Sequence, residues 1–141
     1  MQNIGEGSLQ IPSDWQNTSV NIFAPARTEL QGVSLTVTRE KMPFGMDVAA
    51  YAKAQIDLMQ QQLPHFVLLS QDARQVDGLP VYLLEVQWES PQAGHTHQML
   101  MLLQLEARVL HFCASHIGAM SQLMRQEMVD LLSSFRRGTL A

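Results

Sequence analysis

The sequence predicts an α+β domain in which an antiparallel β-sheet carries two amphipathic helices packed on one face. Three observations predict it. Period-two alternation of apolar and polar residues recurs in short runs near the N-terminus and again between residues 66 and 115. Asp77-Gly78, the preferred filling of a type I′ turn, joins two such runs at hairpin spacing. Two other stretches repeat their apolar residues at three- and four-residue steps, the period of a helix. Hairpins make the sheet antiparallel, and the helices need it as the support for their stripes.

The elements follow in order. Residues 8–11 form a short candidate strand closed by Pro12. Residues 19–24 alternate, with Val20, Ile22 and Ala24 on one side and Asn21 and Phe23 on the other. Pro25 ends that run because it cannot donate to a ladder. After Gly32, residues 33–39 set Val33, Leu35 and Val37 against Ser34, Thr36 and Thr38. Asp47 is placed to cap a helix. Val48, Ala52, Ile56, Met59 and Leu63 draw its stripe, and Pro64 ends it. Strands are then expected at 66–70, 73–76, 79–88, 95–106 and 109–115. A last helix is expected over 119–136, with Met120, Met124, Met128, Leu131 and Phe135 as its stripe. Arg136 and Arg137 suit the negative end of its dipole, and Gly138 is the stop.

A chain of 141 residues makes one domain, 1–141, with a core of its own. The hydrophobic share of 46% excludes a disordered chain. Charged residues reach only 16%, against about 25% in a typical domain, and glutamine fills part of the gap. The net charge of −4, with no basic cluster larger than Arg136-Arg137, excludes nucleic acid as a partner. The single cysteine, Cys113, precludes an internal disulfide. The opening residues lack the basic and apolar regions of a secretory signal. The longest apolar run, 99–103, is far short of the ~20 residues of a membrane helix. The expectation is a soluble, cytoplasmic protein without direct membrane insertion.

Chemistry is sparse. There is no G-x-S-x-G, no glycine-rich phosphate loop and no H-E-x-x-H, so no enzyme is expected. His95 and His97 share one strand face, as do His111 and Cys113, but no third convergent ligand follows from the spacing, and neither metal nor cofactor is expected. Cys113 is expected to be buried and inert.

The informative feature is a mixed row on the long strand. His97, Met99, Met101, Leu103 and Leu105 read as core. Gln98, Leu100, Leu102, Gln104 and Glu106 mix leucine with amides. Tyr82, Leu84, Val86 and Trp88 also read as core, as do Leu35, Val37 and Phe23; Ile22, Thr36 and Thr38 join the mixed side. A register slip of one residue inverts every assignment. Such a face suits an apolar helix bringing polar groups of its own, a second copy of the chain, or ordinary second-face packing.

GSLQIPSDWQNTSVNIF at 7–23 resembles the start of DcrB-like domains, which have the PsbP-like fold. The helix ending in Gln-Gln-Leu-Pro, the Asp77-Gly78-Leu79-Pro80 hairpin, the strand bearing Trp88 and the terminal helix extend the likeness over nearly the whole chain. Within that group the sequence is similar to the Eag chaperones of bacterial type VI secretion. The resemblance implies a cytosolic homodimer. It would shield the N-terminal transmembrane helices of a PAAR- or Rhs-type toxin until the toxin is loaded on the secretion spike. It also implies cargo contacts from Ile22, Thr38, Gln60, Gln98, Leu100, Leu102 and Gln104. The competing expectations are a PsbP-like interaction module with another partner and a small-ligand carrier.

Overall fold

The computed structural model describes residues 2–3, 8–10, 12–13, 20–24 and 33–138. Part of the motif at 7–23, including Ile11, Trp15 and Ser19, lies outside them, as do Pro25 and Gly32. A two-stranded antiparallel sheet pairs β1 (Gln2–Asn3) with β2 (Ser8–Leu9). The main sheet contains β3 (Asn21–Phe23), β4 (Val33–Lys41), β5 (Val67–Val76), β6 (Leu79–Ser90), β7 (Gly94–Leu105) and β8 (Arg108–Ile117). Its order is β3-β4-β8-β7-β6-β5, antiparallel throughout.

Turn chemistry sets the register. Asp77 and Gly78 take φ of +53° and +74°, the left-handed values that a type I′ turn demands. They place Val76 opposite Leu79. The two segments expected at 66–70 and 73–76 are one strand, β5, with an irregularity between Leu68 and Ser70. Glu106, at φ +57°, turns β7 into β8 and places Leu105 opposite Arg108.

Helix α1 (Val48–Gln62) starts as expected: the Asp47 carboxylate accepts from the Ala50 amide at 2.9 Å. Helix α2 (Gln122–Ser133) is shorter than the expected 119–136, because Ser121 caps it by accepting from the Met124 amide. Met120 therefore precedes the helix, and Leu132, not Leu131, is its buried anchor.

The α+β class and the antiparallel sheet with two helices stand as expected. The placement of both helices on one face does not. Helix α1, with Val48, Tyr51, Ala52 and Ile56, packs on Leu84, Val86, Leu102 and Val109. Helix α2, with Leu132, Met124, Met128 and Val129, packs on Val37, Leu83, Met99, Met101, Leu103 and Phe112. Successive residues of one strand point to opposite faces, so these sets lie on opposite sides of the sheet. The physical reason is the composition of β6 and β7: both of their rows are apolar enough to need a helix. The reading of β6 is corrected accordingly. Val81 and Leu83 share the face of Met99 and Met101, whereas Leu84 and Val86 share that of Leu100 and Leu102.

The α2 face contains a buried ionic cluster. Glu85 and His97 are 3% and 2% exposed. His97 Nδ1 accepts from the Met120 amide at 2.8 Å, so Nε2 carries the proton donated to Glu85 at 2.6 Å. Arg125 donates to both carboxylate oxygens, at 2.7 and 2.6 Å. Burial pushes the Glu85 carboxyl up, but the bonds from Arg125 and His97 outweigh it and hold it below the usual range. The cluster ties the start of α2 to the centre of the sheet.

Candidate functional site

Helix α1 lies chiefly over β5, β6 and β7, and through Tyr51 it reaches His111 of β8 and Glu40 of β4. Farther along the same face, around Ile22, Thr36 and Cys113, the packing of α1 does not extend among the described residues. One cross-strand row runs through that open part: Ile22 opposite Thr36, Thr36 opposite Cys113, Cys113 opposite Leu100. Four strands span about 14 Å at ~4.8 Å per step. Ile22 is 69% exposed, and Thr36, Cys113 and Leu100 are half-buried. The result is a partly exposed apolar strip beside α1 that carries a hydroxyl and a thiol.

A second row borders the helix: Thr38 opposite His111, His111 opposite Leu102. The Tyr51 hydroxyl donates to the Glu40 carboxylate and accepts from His111 Nε2, both at 2.5 Å. Burial, reinforced by Glu40, raises the Tyr51 phenol far above its ordinary value and keeps it protonated. Burial likewise lowers the His111 imidazole, with Glu40 offsetting part of the effect. The third row holds Ser34, Ser115 and Gln98. Gln98 accepts from the Trp88 indole at 3.0 Å and donates to the Ser115 hydroxyl at 2.9 Å. Cys113 sits 3.4 Å from that hydroxyl, and burial raises its thiol despite bonds from Ser115 and Thr36.

The expected site residues thus fall in different places. Ile22, Thr38, Gln98 and Leu100 come together on the groove. Leu102 is 2% exposed and sealed beneath α1, where it serves the core. Gln104 accepts from the Val48 amide at 3.1 Å and so caps α1. Gln60 is exposed on α1. Sequence reasoning left Thr36, Cys113 and Ser115 out of the site. The signal was available: the two-residue turn at 106–107 fixes every β7–β8 pair, and so places Cys113 beside Leu100 and Ser115 beside Gln98.

The opposite face has two hollows of its own. Phe23, Ala24, Val33, Leu35, Met128 and Leu131 line an apolar cleft of about 420 Å³ between the sheet edge and α2. A more polar one of about 280 Å³ lies over Glu85 and Arg125. Among the described residues, no cluster of three or more His, Cys, Asp or Glu could hold a metal ion, and no helix is long and apolar enough to cross a membrane.

A six-stranded antiparallel sheet with one helix on each face has the PsbP-like fold. CyanoP, the PsbP protein of Synechocystis sp. PCC 6803, superposes with a TM-score of 0.52 at 13% identity, over 89% of this chain and 93% of its own. PA94 of Pseudomonas aeruginosa, a protein of unknown function, superposes with a TM-score of 0.79 at 21% identity, over 99% and 96%. Both likenesses concern the fold. The DcrB family profile matches residues 6–134, so the chain belongs to the DcrB family. In sequence it is similar to the effector EagT6 of Pseudomonas aeruginosa PAO1, 30% identical over 90 residues. That match takes in 63% of this chain and 62% of the relative's length.

Proposed function

We propose that the chain is a non-enzymatic, cytoplasmic chaperone that binds a type VI secretion toxin and shelters one of its transmembrane helices in the groove beside α1. It would hold the toxin soluble for loading on the spike and act as a homodimer. The likeness to EagT6 supports an effector-binding role. The observation that carries the finer reading is the row Ile22–Thr36–Cys113–Leu100, left beside α1. Its ~14 Å width suits a helix ~10–12 Å across. About 500 Å² of apolar contact is worth on the order of 10 kcal/mol before association costs. The row itself carries no charge, and the nearest carboxylate, Glu40, is held by the Tyr51 hydroxyl, which matters because a charge buried under an apolar helix would cost several kcal/mol. Thr36 and Thr38 offer hydroxyls, as membrane helices do to one another.

The test is coexpression with an N-terminal fragment of a PAAR-domain toxin that retains its membrane helices. The native chain should keep the fragment soluble and co-purify with it. Ile22→Asp combined with Thr36→Asp should abolish recovery while circular dichroism stays native. Undiminished recovery with the double variant would remove the groove from the mechanism. The apolar cleft at Phe23 and Leu131 favours one second reading, a carrier of a small apolar ligand, since its volume lies within the range of ligand pockets.

A further inference from the structure

Strand β5 closes the sheet opposite β3, is ten residues long, and has no strand on its outer side among the described residues. A long edge with unpaired amides and carbonyls is a template for another strand unless it is blunted. The irregularity in β5 falls between Leu68 and Ser70, so residues 70–76 remain regular and pair without interruption with β6. The exposed residues of that stretch include one acid and one base. Asp72 and Arg74 stand on the same face, on either side of Ala73, and form an ion pair within the chain.

That spacing is self-complementary. Two copies laid antiparallel about a two-fold axis at Ala73 bring Asp72 opposite the partner's Arg74, and Arg74 opposite the partner's Asp72. Gln71 meets the partner's Gln75, amide to amide. The register is also selected against its neighbours. Moving the axis by one residue puts Asp72 opposite the partner's Asp72, or Arg74 opposite the partner's Arg74, and directly opposed like charges are destabilising. Ala73 at the axis is small enough for close approach.

We propose that β5 is the edge through which two copies of this chain pair, antiparallel and centred on Ala73, joining their sheets into one. The assignment deepens the homodimer proposed above and rests on it, not on the identity of the cargo. An antiparallel pair of identical strands has its axis normal to the sheet, so both grooves open on the same side.

The experiment uses the full chain and light scattering coupled to size exclusion. The native protein should run as a dimer. Arg74→Asp alone and Asp72→Arg alone should each halve the mass, to the 15.8 kDa of one chain. The exchanged pair, Asp72→Arg with Arg74→Asp, should restore the dimer, which a folding defect would not do. Ala73→Cys in a Cys113→Ser background should oxidise to a covalent dimer, because directly opposed strand residues lie within disulfide reach. A dimer untouched by either single variant and refractory to cross-linking overturns the edge assignment while leaving a homodimer through another surface. A native chain that stays monomeric at all concentrations overturns both.

Discussion

The two faces of the sheet solve the same problem differently. On the α2 face the central strands are sealed, and the polar group left inside is a full carboxylate, Glu85, held by Arg125 and His97. On the α1 face the helix ends its packing at Glu40 and His111, and the polar groups beyond them are uncharged: Gln98, Thr36, Thr38 and Ser115. A charge can be buried where the chain supplies fixed partners, because geometry then offsets its desolvation. A surface meant for a foreign segment has no such guarantee. There a hydroxyl or amide left unpaired costs about 1–3 kcal/mol, and a stranded ion more.

The sharpest way to break this contrast is to strand the buried charge. Arg125→Ala leaves Glu85 with His97 as its remaining partner and should cost about 2 kcal/mol, less than a fully buried pair because the guanidinium is 39% exposed. In a domain of this size that is a melting temperature lower by ~5 °C, readable by calorimetry. An unchanged melting point would mean that the cluster does not fasten α2.

Acid titration separates the faces next. His111 is held below its ordinary 6.5, so the unfolded chain binds a proton there before the native one does. Stability from that site is present above 6.5 and lost as pH falls through the native value. Glu85 is held below its ordinary 4.5, so its contribution is present above 4.5 and disappears at lower pH. Urea midpoints taken from pH 7 to 3 should therefore fall in two stages. His111→Gln should remove the upper stage and leave the lower; a variant that still shows both would place the first proton elsewhere.

The smallest effect on stability is the most discriminating for binding. Ile22 and Phe23 are neighbours on β3, 69% and 57% exposed, and point to opposite faces. Replacing either with serine should shift stability by less than ~0.5 kcal/mol. Ile22→Ser should weaken toxin recovery and Phe23→Ser should not. The reverse outcome would transfer the cargo to the cleft beside α2.

Much of this was legible from residues. Asp47 as cap, Asp77-Gly78 as hairpin and the alternation of β4 follow from local rules that tertiary structure did not override. The failure concerned faces. Alternation tells which residues share a side of a strand but not whether that side lacks a helix, and in β6 and β7 both sides are apolar. Alternation alone therefore groups Tyr82, Leu84 and Val86 with Met99 and Met101, whereas they face Leu102, Leu100 and Gln98. The same ambiguity gives Leu102 and Gln104 the look of site residues: Leu102 lies under α1 and Gln104 caps it, and a strand pattern does not reveal where a helix comes to rest. The Tyr51–Glu40–His111 link joins residues 11 and 60 positions apart and was invisible without coordinates.

One feature of the groove doubles as an instrument. The chain has a single thiol, and it stands in the floor between Thr36 and Leu100. Anything lying in the channel must pass over that sulfur and hide it from an alkylating reagent. Occupancy can thus be followed as added protection of Cys113, read at alkaline pH because burial raises the thiol.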